Sequence, residues 1–141
     1  MTQLSSDVIH ASTVSIGDRA VLLTGPSGAG KSDLALRLID RGAMLVSDDY
    51  TELRRRDGRL YAGAPARLAG RIEVRGIGIV EMPQAGETEV ALIVELEGTI
   101  ERMPEHATRR LAGVEVPVAR LAPFEASAPI KVEWLLGTLG R

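Results

Sequence analysis

At 141 residues, with no linker or charge run dividing it, the chain has the size of one domain around one substantial core; its 45% hydrophobic and 26% charged shares are those of an ordinary globular protein. A formal net charge of −2 gives no general attraction to nucleic acid or to an anionic membrane, so any affinity for phosphate has to be local. The lack of cysteine excludes disulfides, a thiol nucleophile and a cysteine metal cage, and neither a signal-peptide pattern nor an apolar run of ~18 residues is present, so a cytoplasmic protein is expected.

In chain order, Arg19–Thr24 is a short apolar run, read as a strand, that ends in a glycine-rich loop. Leu34, Leu38 and Ile39 then recur at helical spacing, predicting a helix over Ser32–Arg41 that Gly42 stops. Ala43–Ser47 is a second short strand, ending on Asp48-Asp49, and the β-α-β pattern predicts that it runs parallel to the first. Asp57-Gly58 separates two strand-like runs, Thr51–Arg56 and Arg59–Ala62, which is a hairpin signal with Arg54, Arg55 and Arg56 on its exposed side. Ile72–Val74, Ile77–Val80 and Val90–Leu96 read as further strands, with residues 83–87 as a loop. Val114–Leu121 is a strand broken by Pro117. Beyond Pro129, Ile130–Leu139 is apolar enough for either a helix or a strand, with Trp134 as a packing residue of that element. The fold class expected is α/β: a strand–loop–helix nucleotide-binding core with a mixed β-sheet.

The loop Gly25-Pro26-Ser27-Gly28-Ala29-Gly30-Lys31-Ser32 fits G-x-x-x-x-G-K-[ST]. In that pattern backbone N–H groups and a helix N-terminus surround phosphate oxygens, the lysine reaches the β/γ oxygens and the hydroxyl ligates Mg²⁺. Only two residues of the chain are lysine, Lys31 and Lys131, so arginine serves almost everywhere that a generic positive charge suffices. The lysine in this loop is therefore distinctive. Parallel strands bring their C-terminal ends to one sheet edge, which predicts that Asp48-Asp49 arrives beside the loop. One carboxylate would hold Mg²⁺, directly or through water, while its neighbour accepts the proton of an attacking hydroxyl.

The interval from Ser32 to Asp48 is short for a GTPase or ATPase of this class. The run from Gly25 to Asp49, reading GPSGAGKS, then ALRLIDRG, then LVSDD, resembles the catalytic domain of the HPr kinase/phosphorylase family, as does Glu73-Val74-Arg75-Gly76-Ile77-Gly78-Ile79 beside that family's E-[IV]-R-G-x-G-I signature. The resemblance covers Ile9 to Val80. It implies the fold shared with PEP carboxykinase-like proteins, ATP and Mg²⁺ as cofactors, HPr or a relative as protein substrate, and a homo-oligomer, a hexamer in the family. It also implies roles: His10 matches a catalytic-region histidine, Asp49 the proton-transferring aspartate, with Asp48 so near that the role falls to the pair, Lys31 and Ser32 the ATP and Mg²⁺ positions, and Glu73 a second Mg²⁺-associated position. Arg75 and Gly76 would shape the site.

Two departures from the family pattern stand out. Ala11 follows His10 where the family carries glycine, and the segment Val116–Ala128 lacks the Pro-Gly-Arg-Asn loop linked to the phosphorolytic direction; Arg120 is the nearby arginine, with no register that puts it in that role. The chain resembles the short proteobacterial form, a single catalytic domain over residues 1–141 without the N-terminal domain and C-terminal helix of longer members. A kinase with weak or absent phosphorylase activity is expected. A small-molecule kinase and a nucleotide-binding regulatory module remain the competing readings, because the loop alone specifies phosphate and not an acceptor.

Overall fold

The computed structural model describes residues 6–140. Eleven strands and two helices follow one another as β1 (Ser6–Ile9), β2 (Ala11–Ile16), β3 (Arg19–Thr24), α1 (Lys31–Asp40), β4 (Met44–Ser47), β5 (Thr51–Arg56), β6 (Arg59–Gly63), β7 (Arg71–Val74), β8 (Gly78–Glu81), β9 (Thr88–Glu95), β10 (Ala107–Leu111), β11 (Val114–Arg120) and α2 (Ala128–Thr138). Nine strands form one mixed sheet in the order β1-β5-β6-β9-β3-β2-β4. β11 also pairs with β9 and carries β10 at its outer edge, while β7 and β8 make a separate hairpin.

The central strands of the sheet are buried on both faces. Along β3, Val21 and Leu23 enter the core under the helices, with Leu34, Leu38 and Val132, while Ala20 and Leu22 enter a second core on the opposite face, with Leu53, Leu60 and Val116. A strand covered on both sides reads as a continuous apolar run rather than an alternating one, which is why β3 and β9 were visible in the sequence. On β9 the alternation changes phase: Val90 lies in the second core, yet Leu92 lies in the first. The cause is a bulge, since Ala20 opposes Val90 while Val21 opposes Leu92, leaving Ala91 as the extra residue.

Helix α1 buries Lys31, Leu34, Ala35 and Leu38, the i, i+3, i+4, i+7 stripe of a helix with one face on a sheet. It ends in a Schellman motif: Gly42, at φ 111°, donates its N–H to Ile39, and Ala43 donates to Leu38. Leu38 is fully enclosed. Leu38→Ala is expected to cost about 2–5 kcal/mol of stability, measured as a shift in the urea midpoint at constant slope.

Several expectations are met. The hairpin at Asp57-Gly58 joins β5 to β6 with Arg54–Arg56 exposed, and residues 83–87 form a loop. β4 runs in the same direction as β3, but the two are not neighbours: β2 lies between them and is antiparallel to both. β2 went unread because Ser12, Thr13 and Ser15 are buried polar residues in a strand. β1 and β10 likewise carry no apolar run.

Two expectations are corrected and one open alternative is resolved. Pro117 does not break β11, which runs unbroken to Arg120; pairing with β9 begins only at Val118, so the sheet is spared a missing donor there. The last element is a helix, α2. Its buried positions are Ala128, Pro129, Val132 and Leu136, and Trp134 points away from them with 73% of its surface exposed, so Trp134 is not a packing residue. Among the described residues no helix is long and apolar enough to cross a membrane.

Candidate active site

Strand β3 ends at Thr24 and α1 begins at Lys31, so the glycine loop occupies the strand-to-helix turn that its pattern requires. Ala29 donates its N–H to the Pro26 carbonyl at 3.0 Å, closing the loop on itself, and Leu34 donates to the Gly30 carbonyl at 2.9 Å, starting the helix. Gly30 has φ 101°, a left-handed conformation in which a side chain is strained, and a Cβ there would also sit 2.9 Å from the ring of Phe124. Lys31 is 6% exposed. Its ammonium donates to the carbonyls of Gly25 at 2.7 Å and Pro26 at 3.0 Å, which hold the charge inside the loop and leave one of its three N–H donors uncommitted to them.

Because β4 runs in the direction of β3, Asp48 and Asp49 emerge at the same sheet edge as the loop. They then diverge. Asp48 is 7% exposed and accepts three hydrogen bonds: from the Ser32 hydroxyl at 2.6 Å, from the Ser12 hydroxyl at 2.8 Å and from the Glu73 backbone N–H at 3.0 Å. A buried carboxylate needs such donors to offset lost hydration. Asp49 takes a left-handed conformation, φ 70°, which turns it outward; its side chain is 56% exposed and accepts from His10 Nε2 at 2.7 Å.

His10 sits in the bend between β1 and β2, with its ring beside Tyr50 at 5.3 Å between centroids. Glu73 lies on β7, its carboxylate exposed, and faces the same cavity of about 520 Å³ as Lys31, Asp48, Asp49 and Arg75. The structure thus brings every sequence-predicted site residue to one end of the sheet. Arg54–Arg56 lie elsewhere, on β5, with Arg54 against Glu52 and Arg56 against Glu87 and Tyr61. Glu87 raises the basicity of the Arg56 guanidinium through a hydrogen bond and its charge.

Ser12 was missed by sequence reasoning. It ties the two aspartates together, donating to Asp48 and accepting the Asp49 N–H at 3.2 Å, and a lone serine in an unread polar strand carries no signal for this. Phe124 and Arg37 were missed as well. Phe124 lines the cavity from the segment after β11. A second, larger cavity of about 660 Å³ lies among β9, β10, β11 and residues 99–106 and includes no residue of the glycine loop; Glu95 sits there between Arg109, at 2.5 Å, and Arg120, at 3.1 Å. Arg120 is therefore committed to Glu95.

The residues can accommodate Mg²⁺. Among the described residues, no group of three or more His, Cys, Asp or Glu side chains is arranged to cage a metal ion. Mg²⁺ does not need one: it binds through one or two carboxylates together with water and substrate phosphates. The Ser32 hydroxyl and Asp48 carboxylate, in contact beside the loop, are a donor set of that kind.

Comparison with known proteins identifies the family and the fold. The family model described as the HPr serine kinase C-terminal domain matches residues 2–122. The HPr kinase/phosphorylase of Clostridium botulinum (strain Eklund 17B / Type B) is 40% identical over 96 residues, covering 63% of this chain and 32% of that protein. The HPr kinase/phosphorylase of Lactobacillus acidophilus is 35% identical over 138 residues, covering 88% and 41%. The solved HPr(Ser) kinase/phosphatase from Coxiella burnetii superposes with a TM-score of 0.82 at 29% identity, covering 94% of this chain and 95% of that one. The chain spans about a third of the length of the first of these curated relatives.

Proposed function

The chain belongs to the HPr serine kinase C-terminal domain family, and from that premise we propose that it is a serine kinase transferring the γ-phosphoryl group of ATP, with Mg²⁺, to the phosphocarrier HPr of the sugar phosphotransferase system or to a relative of it. The reading treats residues 1–141 as one catalytic unit acting in the cytoplasm. The observation that carries it is the convergence of the glycine loop with two differently held aspartates in one cavity.

The division of labour follows from burial. Loop N–H groups and Lys31 hold the phosphates. Asp48 and Ser32 would hold Mg²⁺, with Glu73 near it, and the ion would offset charge on the phosphate oxygens. Asp49 is exposed, where an incoming serine can reach it, and His10 fixes its orientation. In the transfer the seryl oxygen forms a bond to the γ-phosphorus, the bond to the β-γ bridging oxygen breaks, ADP leaves and the seryl proton passes to Asp49.

The reverse reaction, phosphorolysis of phosphoserine by inorganic phosphate, is proposed to be weak or absent. Where the family carries a basic loop, this chain presents Pro123 and Phe124, which offer no charge to inorganic phosphate, and Arg120 is paired with Glu95. The family resemblance also supports a homo-oligomer, a hexamer by analogy, which would cover exposed Ile77, Ile79 or Trp134.

Incubation with HPr and labelled ATP tests the function. Phosphoserine is expected to form with Mg²⁺ and to be slow to disappear when inorganic phosphate is added. Transfer to a small molecule instead, or tight ATP binding with no turnover, would refute the protein-kinase reading, and rapid phosphate-dependent loss of phosphoserine would refute the one-way reading.

A further inference from the structure

The cavity has one aromatic wall that none of the proposed chemistry uses. Phe124 is the single phenylalanine of the chain and is 69% exposed, yet it is held in place rather than loose. β11 runs parallel to β9, and β9 parallel to β3, so the segment leaving β11 emerges at the same sheet edge as the glycine loop. That segment is fastened to α1 by one guanidinium: Arg37 donates to the carbonyls of Pro123 and Glu125, the residues on either side of Phe124, the latter at 3.1 Å. Arg37 is itself held by Asp33 at 3.0 Å, and Glu125 by Lys131 at 2.8 Å. The ring ends up against Gly30, one residue before Lys31.

An exposed aromatic ring fastened on both sides beside a phosphate-binding turn has the form of a stacking surface. We propose that Phe124 is the platform for the base of the nucleotide whose phosphates occupy the loop, and that it takes a purine without choosing between adenine and guanine. Stacking is tolerant of base identity because every base has a π-face, and the phenyl ring itself carries no group that reads a base edge. The inference rests on the kinase reading only in its assignment of Gly25–Ser32 as a phosphate site.

Titration calorimetry with ATP, GTP and inorganic tripolyphosphate distinguishes the ring from the loop. Phe124→Ala is expected to weaken ATP and GTP by the same factor, about 5- to 100-fold, and to leave tripolyphosphate unchanged, while Phe124→Trp restores nucleotide affinity. Unchanged ATP affinity in Phe124→Ala would overturn the platform, as would an equal loss for ATP and tripolyphosphate, since the ring would then act only by bracing Gly30. Failure of the phosphate-site assignment looks different: the unmodified protein would bind neither ATP nor tripolyphosphate, and the platform would fall with it.

Discussion

Asp49→Asn is expected to lower kcat for phosphoserine formation by about 10²- to 10⁴-fold, the usual range for a positioned proton acceptor, with ATP affinity nearly unchanged. Asparagine fits the same outward, left-handed position, a conformation it tolerates, so the substitution removes the base without disturbing the turn. The adjacent Asp48→Asn should behave differently. Asp48 accepts from Ser12, Ser32 and the Glu73 N–H, and an amide group turned toward those donors leaves at least one unsatisfied. A stability loss of about 1–3 kcal/mol is expected, together with weaker Mg²⁺-dependent ATP binding. Single-turnover rates, ATP titrations with and without Mg²⁺, and melting curves on the two variants check this. Identical profiles would show that the pair acts as one unit.

Lys31→Met is expected to reduce kcat/KM for ATP by about 10²- to 10³-fold, the scale of losing one preorganised donor to a transferring phosphoryl group. Methionine keeps an unbranched apolar stem of similar length, and Lys31 occupies the first position of the buried stripe of α1, so the helix should still dock. The cost to the fold should be small, because the lost contacts are hydrogen bonds to the carbonyls of Gly25 and Pro26, which water entering the cavity can replace. Melting temperature and activity should therefore separate in this variant. A large drop in both would mean that the ammonium chiefly braces the loop.

The glycine loop, its flanking strand and helix, and the aspartate pair were legible in the sequence because each is a local pattern. An apolar run, a 3.6-residue period and a fixed glycine spacing all act within about one element's length. The family signature around Glu73 was legible for the same reason, and residues 2–122 match that family.

What needed the tertiary structure was non-local. Insertion of β2 between β3 and β4 depends on pairings between distant residues, and its buried Ser12 and Thr13 gave no apolar signal. The separation of Asp48 from Asp49, adjacent in sequence, follows from one left-handed residue and from donors supplied by β2, α1 and β7. The approach of Phe124 to Gly30 follows from the parallel pairing of β11 with β9 and from Arg37 reaching across from α1. The sequence by itself determined that a glycine loop of the G-x-x-x-x-G-K-[ST] pattern and two carboxylates exist and which family they belong to. Only the folded sheet decided which carboxylate is buried, which is exposed at the cavity, and what stands beside the loop, because burial and long-range hydrogen bonding are properties of the packed chain and not of any segment of it.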